Sequence, residues 1–313
     1  MVRKRTLRRT VGDVIRRTIR VAQRETRGTR NIDVVLSVAL REGIDHAHID
    51  DPVAYVELLR TCIEPLAFDI VTIKATAGDH DASYRRFAGL LELLRSNTPP
   101  LPFHIAIDIA KAADRFRSLT IPMDLANWSG DAGLHFELAS SFGHKGRVLS
   151  SIVRFCRPTL SLELGTAYGM SAMFLMEACR QVELAGRLVT IEGSERLFAL
   201  ASQALHDRYG DQVICHHGLT SDLLPGLAGT AGPFDFMFHD AGHSGDNYTR
   251  DFHTIVDALA AGAVVLFDDI RWEDARFNSG HPKTHDGWLR VTEHPRVRCA
   301  VEIEGRMGLA LLA

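Results

Sequence analysis

Three acidic side chains and a histidine stand in two short stretches, "FDFMFHDAGH" at 234–243 and "GAVVLFDDIRW" at 262–272. Asp240 closes the first apolar, β-rich run, and Asp268 and Asp269 close the second. Neighbouring strand ends bring such groups within reach of one ion. Hard carboxylate oxygens with open water positions suit Mg²⁺, or else Mn²⁺ or Ca²⁺. Adjacent aspartates also cap helices, so the residues alone leave both readings open. His243, three positions after Asp240, is a side chain that can take a proton near neutral pH.

A second constellation lies in "SLELGTAYGMSAMFL" at 161–175, where an apolar run ends at Glu163 and passes Gly165 and Gly169 before a helical pattern begins. A dinucleotide site wants G-x-G-x-x-G, whose middle glycine lets the backbone reach a pyrophosphate. That glycine is missing here, so phosphate is disfavoured. Glu192 closes the next β-rich run, "RLVTIE", where an acid accepts hydrogen bonds from both hydroxyls of a ribose. Glu163 is placed to meet an ammonium. Ribose and ammonium without phosphate describe S-adenosylmethionine. Tyr168, inside the turn, is expected as a contact on the cofactor side.

These residues must be held by strands. From Pro158 onward "TLSLEL", "RLVTIE", "QVICHH", "FDFMFHD" and "GAVVLFDD" alternate with helical stretches, which predicts a parallel sheet covered on both faces, with ligands beyond the carboxyl ends of the strands. "RVRCAVEIE", Gly305-Arg306 and "MGLALLA" read as a closing hairpin that inserts an antiparallel strand.

The run "FGHKGRVLSSIVRFCRPTLSLELGTAYGMSAMFL", followed in order by "GRLVTIEGS", "HHGLTSDLLPGL", "FDFMFHDAGH" and "GAVVLFDDIRW", resembles the class I methyltransferases of the catechol O-methyltransferase type, in the bacterial branch with an "IDGxH…DDI" signature. The resemblance covers about residues 135–313. It implies an α/β, Rossmann-like fold with a seven-stranded, mostly parallel sheet and an antiparallel last strand. By position it implies Glu163, Gly165 and Ser171 around the methionine part of the cofactor, with Gly169 in the same turn. It likewise implies Glu192 on the ribose, Thr220, Ser221 and Asp222 near the adenine, and Ser141 and Phe142 in a lid. Asp240, Asp268 and Asp269 would hold the metal, with Asp240 also bordering the cofactor. The resemblance differs at two positions: the family's third ligand is an asparagine where this chain has Asp269, and its proton-removing lysine is replaced by His243.

Other candidates are weaker. His239 precedes Asp240 and is expected on the opposite face of the strand, whereas Tyr248, one turn into the next helix, could face the site. Trp272 could form a substrate wall; Trp288 reads as packing. His46 and His48, in "DHAHIDD", read as a loop rather than a metal site, and His281-x-x-x-His285 is broken by Pro282.

The 313 residues, 46% hydrophobic and 24% charged, describe a globular chain with a sizeable core. No apolar stretch is long enough for a membrane span and no secretory signal stands at the N-terminus, so a cytoplasmic location is expected. Five scattered cysteines indicate neither a zinc knuckle nor a disulfide framework. Residues 1–30 carry eleven Lys and Arg against Asp13 and Glu25 on an otherwise acidic chain. This basic arm is read as solvated, or as packed on its own domain or on a second subunit, which leaves a homodimer through the N-terminal region open; nucleic-acid binding is disfavoured. Residues 31–130 read as a mainly helical domain, apart from an unplaced "FDIVTIKAT", and 131–313 as the methyltransferase domain.

The expected function is S-adenosylmethionine-dependent O-methylation of a small molecule or natural product, assisted by a divalent cation. The alternatives are metal-independent methylation of a carboxylate or amine, and an RNA-binding or RNA-modifying protein using the basic arm. An NAD-dependent oxidoreductase is disfavoured by the glycine turn.

Overall fold

The structure is a computed structural model. It describes residues 66–75, 81–96, 98–99, 144–271 and 283–313, with single positions between 101 and 119 and the backbone of 120–121 and 134–135. The helices are α1 (Ala82–Ser96), α2 (His144–Cys156), α3 (Met170–Gln181), α4 (Glu195–Tyr209), α5 (Thr220–Thr230), α6 (Gly245–Ile255) and α7 (Thr284–Glu293). The main sheet contains β1 (Ile70–Lys74), β4 (Leu160–Leu164), β5 (Arg187–Glu192), β6 (Val213–His217), β7 (Phe234–His239), β8 (Leu259–Phe267), β9 (Val297–Ile303) and β10 (Met307–Leu312). Two short strands, β2 (Thr120–Ile121) and β3 (Leu134–His135), pair separately.

Strand order in the main sheet is β1-β9-β10-β8-β7-β4-β5-β6. The pairs β4/β5, β5/β6, β4/β7 and β7/β8 are parallel, whereas β10 runs antiparallel to both β8 and β9. This is the expected α/β fold, with the hairpin strand inserted where the sequence placed it. The sheet has eight strands rather than seven because β1, from "FDIVTIKAT", pairs antiparallel with β9 at the edge. Over its described residues the helical extension therefore shares the body of the sheet domain. Phe87, Leu90 and Leu94 of α1 join the same core as Val148 and Ile152 of α2, and Arg147 of α2 donates to the carbonyls of Thr98 and Pro99.

Alternation along the strands sends one set of side chains to each face. Phe236, Phe238, Val264 and Leu266 join α1–α4 on one side; Met237, Val265 and Phe267 join α5–α7 on the other. Both faces are covered, which is why these strands read as near-continuous apolar runs. Trp288 is fully buried, 5.7 Å from Phe267, so it packs as expected.

The order reverses at β4: β5 and β6 extend to one side, β7 and β8 to the other. The crevice beyond the carboxyl ends of β4 and β7 is the switch point of such a sheet.

Candidate functional site

Three strand tips frame one end of this crevice. The turn after β4 is drawn in by hydrogen bonds from the Gly165 and Thr166 amides to the Ile191 carbonyl, and the Asp240 amide donates to the Leu164 carbonyl. Gly165 has φ 94°, and a Cβ there would stand 2.3 Å from the Asp240 carbonyl oxygen. The first glycine thus clears room for the neighbouring strand end. Gly169, φ 79°, is the N-cap of α3 and faces Leu205.

Glu192, at the tip of β5, spans the glycine turn: one carboxylate oxygen accepts from the Ala167 amide at 2.7 Å and the other from the Ser194 amide at 2.8 Å. A carboxylate held at a strand tip by two backbone amides is fixed in orientation beside the glycine turn. The Gly218 amide donates to the Glu192 carbonyl and so brings the start of α5 beside this tip. There Ser221 and Asp222 are exposed and hydrogen-bonded to each other at 3.0 Å. Thr220 faces elsewhere, donating at 2.9 Å to Asp251, which also meets Nε2 of the buried His239 at 3.1 Å. His239 therefore lies on the face away from the acids, as alternation requires.

Glu163 is fully buried in β4. Its Oε2 accepts from Thr190 at 2.6 Å, while Oε1 has no hydrogen-bond partner among the described residues. Burial pushes its carboxyl up to about 7, against the opposing effect of the Ser171 and Thr190 hydroxyls. An orphaned buried oxygen beside the glycine turn fits a cationic ligand group, so the residues fit the expected cofactor. Tyr168 was expected on that side, but its ring packs 5.9 Å from Phe116 and its hydroxyl donates to the Leu119 carbonyl, tying the turn to the N-terminal segment.

The acids converge with a difference from the expected set. Asp240, Asp269 and His243 place ligand atoms within 4.8 Å of one another. His243 Nε2 is 3.6 Å from Asp240 Oδ1 and 3.4 Å from Asp269 Oδ2. Asp268 instead gives Oδ2 to Lys145 at 2.5 Å, and the same ammonium meets Asp240 Oδ2 at 2.8 Å. Arg306, in the turn between β9 and β10, brings Nε to 3.1 Å from Asp269 and 3.4 Å from Asp268 Oδ1. Two carboxylates and an imidazole nitrogen at this spacing fit a divalent cation. Asp268, expected as a third metal-holding acid, is not among the residues whose ligand atoms converge; its buried Oδ1 faces Arg306 Nε at 3.4 Å.

Backbone bonds build this corner. The Asp268 amide donates to the His239 carbonyl, the Ile270 amide to the Arg306 carbonyl, and the Tyr248 hydroxyl to the Asp268 carbonyl. Asp269 has φ 49°, a left-handed conformation that aspartate tolerates better than most residues.

Electrostatics follow from this crowding. Burial raises the carboxyl of Asp240, yet Lys145 and His243 outweigh it and bring it down to about 2. Asp268 stays above the usual carboxylate range despite Lys145, because burial and two neighbouring carboxylates prevail. Burial alone would lower the His243 imidazole, but Asp240 and Asp269 raise it to about 10. The base expected to work near neutral pH is therefore an imidazolium in this arrangement.

Lys145 and Arg306 were not singled out from the sequence. Lys145 lies inside the quoted block "FGHKGRVL", and Arg306 was visible only as a hairpin-turn residue. Ser141, Phe142, Trp272, His46, His48 and His281 lie outside the described residues, as does the basic arm. His285 meets Glu302 at 2.8 Å. No described helix is long and apolar enough to cross a membrane.

Residues 162–270 match a family model described as a methyltransferase domain. A catechol O-methyltransferase of Niastella koreensis is 32% identical over 130 residues, 41% of this chain and 56% of that protein. The catechol O-methyltransferase of Mus musculus is 32% identical over 132 residues, 40% of this chain and 48% of that one. The chain thus spans about half the length of the curated relatives it matches. Among solved structures, the O-methyltransferase TomG from Streptomyces achromogenes, in complex with S-adenosylmethionine, is 25% identical with a TM-score of 0.47, covering 66% of this chain and 89% of that one. In the order of its sequence motifs the sheet domain of this chain is similar to the class I O-methyltransferases of the catechol type.

Proposed function

We propose that this protein transfers the methyl group of S-adenosylmethionine to a hydroxyl of a small molecule. The observation that carries the reading is the placement of Glu192 and Glu163 around the glycine turn, on the same sheet edge as the Asp240–His243–Asp269 cluster.

The cofactor supplies an already activated methyl on a sulfonium, so the protein's task is alignment and a deprotonated nucleophile. When the cofactor is bound, Glu192 would hold the ribose hydroxyls and Glu163 would receive the ammonium. Asp222 and Ser221 border the adenine end. A divalent cation held by Asp240 and Asp269, with Asp268 and His243 beside them, would acidify a bound hydroxyl. In its neutral form, the minority form at pH 7 because Asp240 and Asp269 hold its proton, His243 would accept the hydroxyl proton. The acceptor oxygen forms the new bond to carbon as the carbon–sulfur bond breaks, leaving S-adenosylhomocysteine.

A second reading, transfer without a divalent cation, is favoured by one observation: Lys145, Arg306 and a protonated His243 already balance the three carboxylates. Calorimetry with S-adenosylhomocysteine, and methyl transfer from labelled S-adenosylmethionine with Mg²⁺ or with a chelator, separate the two. Cofactor binding lost in Glu192→Ala supports the cofactor site, and absence of binding to the wild type sinks it. Loss of turnover on chelation, restored by Mg²⁺, supports the cation; turnover indifferent to chelation supports the second reading.

A further inference from the structure

The acid cluster is graded in exposure. Asp268 and Lys145 are 0% and 6% exposed, Asp240 and Asp269 13% and 16%, His243 30% and Arg306 53%. Among the described residues of the cluster, His243 and Arg306 are the most exposed and so form its outer rim.

Arg306 meets the acids through Nε while its side chain stays half-exposed, which sets the guanidinium at the rim of the cluster rather than inside it. Neighbouring Arg271 differs: its Nη2 is committed to Glu302 at 2.6 Å. A half-exposed ion pair of the Arg306 kind is screened by water and adds little stability, so holding the turn does not by itself account for it. Its planar fork matches a carboxylate in two parallel hydrogen bonds. Without a cation at the opening, three carboxylates would repel an anionic acceptor.

Resting on the transferase reading above, we propose that Arg306 is a specificity-determining residue that selects acceptors bearing a carboxylate in addition to the hydroxyl to be methylated. The carboxylate lies against the Nη atoms at the outer rim, and the hydroxyl reaches inward to His243 and the acids.

The test uses two probes that differ only in the charged group, catechol and 3,4-dihydroxybenzoate, titrated into the full chain saturated with S-adenosylhomocysteine. Wild type is expected to bind the acid at least about tenfold more tightly than catechol, the scale of one charge-assisted contact. Arg306→Ala should reduce that preference to about twofold or less, Arg306→Lys should fall between, and Arg271→Ala should keep it. Unchanged affinity for S-adenosylhomocysteine in the variants shows that fold and cofactor site are intact. Should Arg306→Ala fail to fold, Arg306→Lys carries the comparison. A wild type that does not bind the acid or does not prefer it, or an Arg306 variant that keeps the full preference, overturns the proposal. Failure of wild type to bind S-adenosylhomocysteine instead overturns the transferase reading on which it rests.

Discussion

Lys145, one residue into α2, holds its ammonium 2.5 Å from Asp268 at the end of β8 and 2.8 Å from Asp240 at the end of β7. It comes that close because α2 lies directly on α3: a Cβ at Gly146 would stand 2.5 Å from the Phe174 ring. One helix thus pins two strand tips that meet nowhere in sequence.

Removing one partner of a buried ion pair leaves the others uncompensated. Lys145→Met is expected to cost about 3–5 kcal/mol of stability, measured by urea unfolding. The doubly substituted Lys145→Met, Asp268→Asn protein should recover part of that loss. Equal stability of Lys145→Met and wild type would show that the bridge carries no weight.

His243 makes a pH prediction. With its pKa raised to about 10 by Asp240 and Asp269, the neutral base is scarce at pH 7 and its fraction grows as pH rises. The rate at saturating cofactor should climb through the alkaline range. Asp269→Asn removes one of the two charges that hold the proton and should move that limb to lower pH. As a stability term the sign is the opposite: the raised pKa stabilises the fold fully below the unfolded value near 6.5, and the contribution fades as pH rises through about 10. A limb that does not move in the Asp269 variant would remove His243 from the proton step.

Burial, outweighing the Ser171 and Thr190 hydroxyls and the Lys145 charge, raises the Glu163 carboxyl to about 7, so it is part-protonated near neutral pH. A ligand ammonium favours the carboxylate, so binding of S-adenosylhomocysteine at pH 6.5 should release a fraction of a proton and tighten as pH rises from 5 to 8. Calorimetry in buffers of different ionisation enthalpy reads this directly, and Glu163→Gln should abolish the proton release. The same raised pKa makes Glu163 favour the cofactor-free fold below pH 4.5, a contribution lost as pH climbs through 7.

Gly165 combines a left-handed φ with contact on the Asp240 carbonyl. Gly165→Ala should cost about 1–3 kcal/mol from backbone strain alone, with more from the overlap. It should also weaken S-adenosylhomocysteine binding, since the displaced turn carries the Ala167 amide that meets Glu192. Calorimetry and thermal unfolding together check both effects.

Much of this molecule was written in local patterns. Apolar runs of strand length ended by Glu163, Glu192, Asp240 and Asp268, with helical stretches between, determine a parallel sheet whose acids share one edge, because strand direction places every carboxyl end there. The Gly305-Arg306 break determined the hairpin, and alternation put His239 and Asp240 on opposite faces. Other features depend on residues far apart in the chain. The edge strand β1 pairs with a partner more than two hundred residues away, so nothing in "FDIVTIKAT" could state where it belongs. That Asp240 and Asp269 face His243 while Lys145 takes Asp240 and Asp268 was decided by the packing of α2 on α3 and by the turn that delivers Arg306. Residue types and spacing supply the charges. Only the folded chain brings those charges within 4 Å, where burial and mutual repulsion set which of them carry protons.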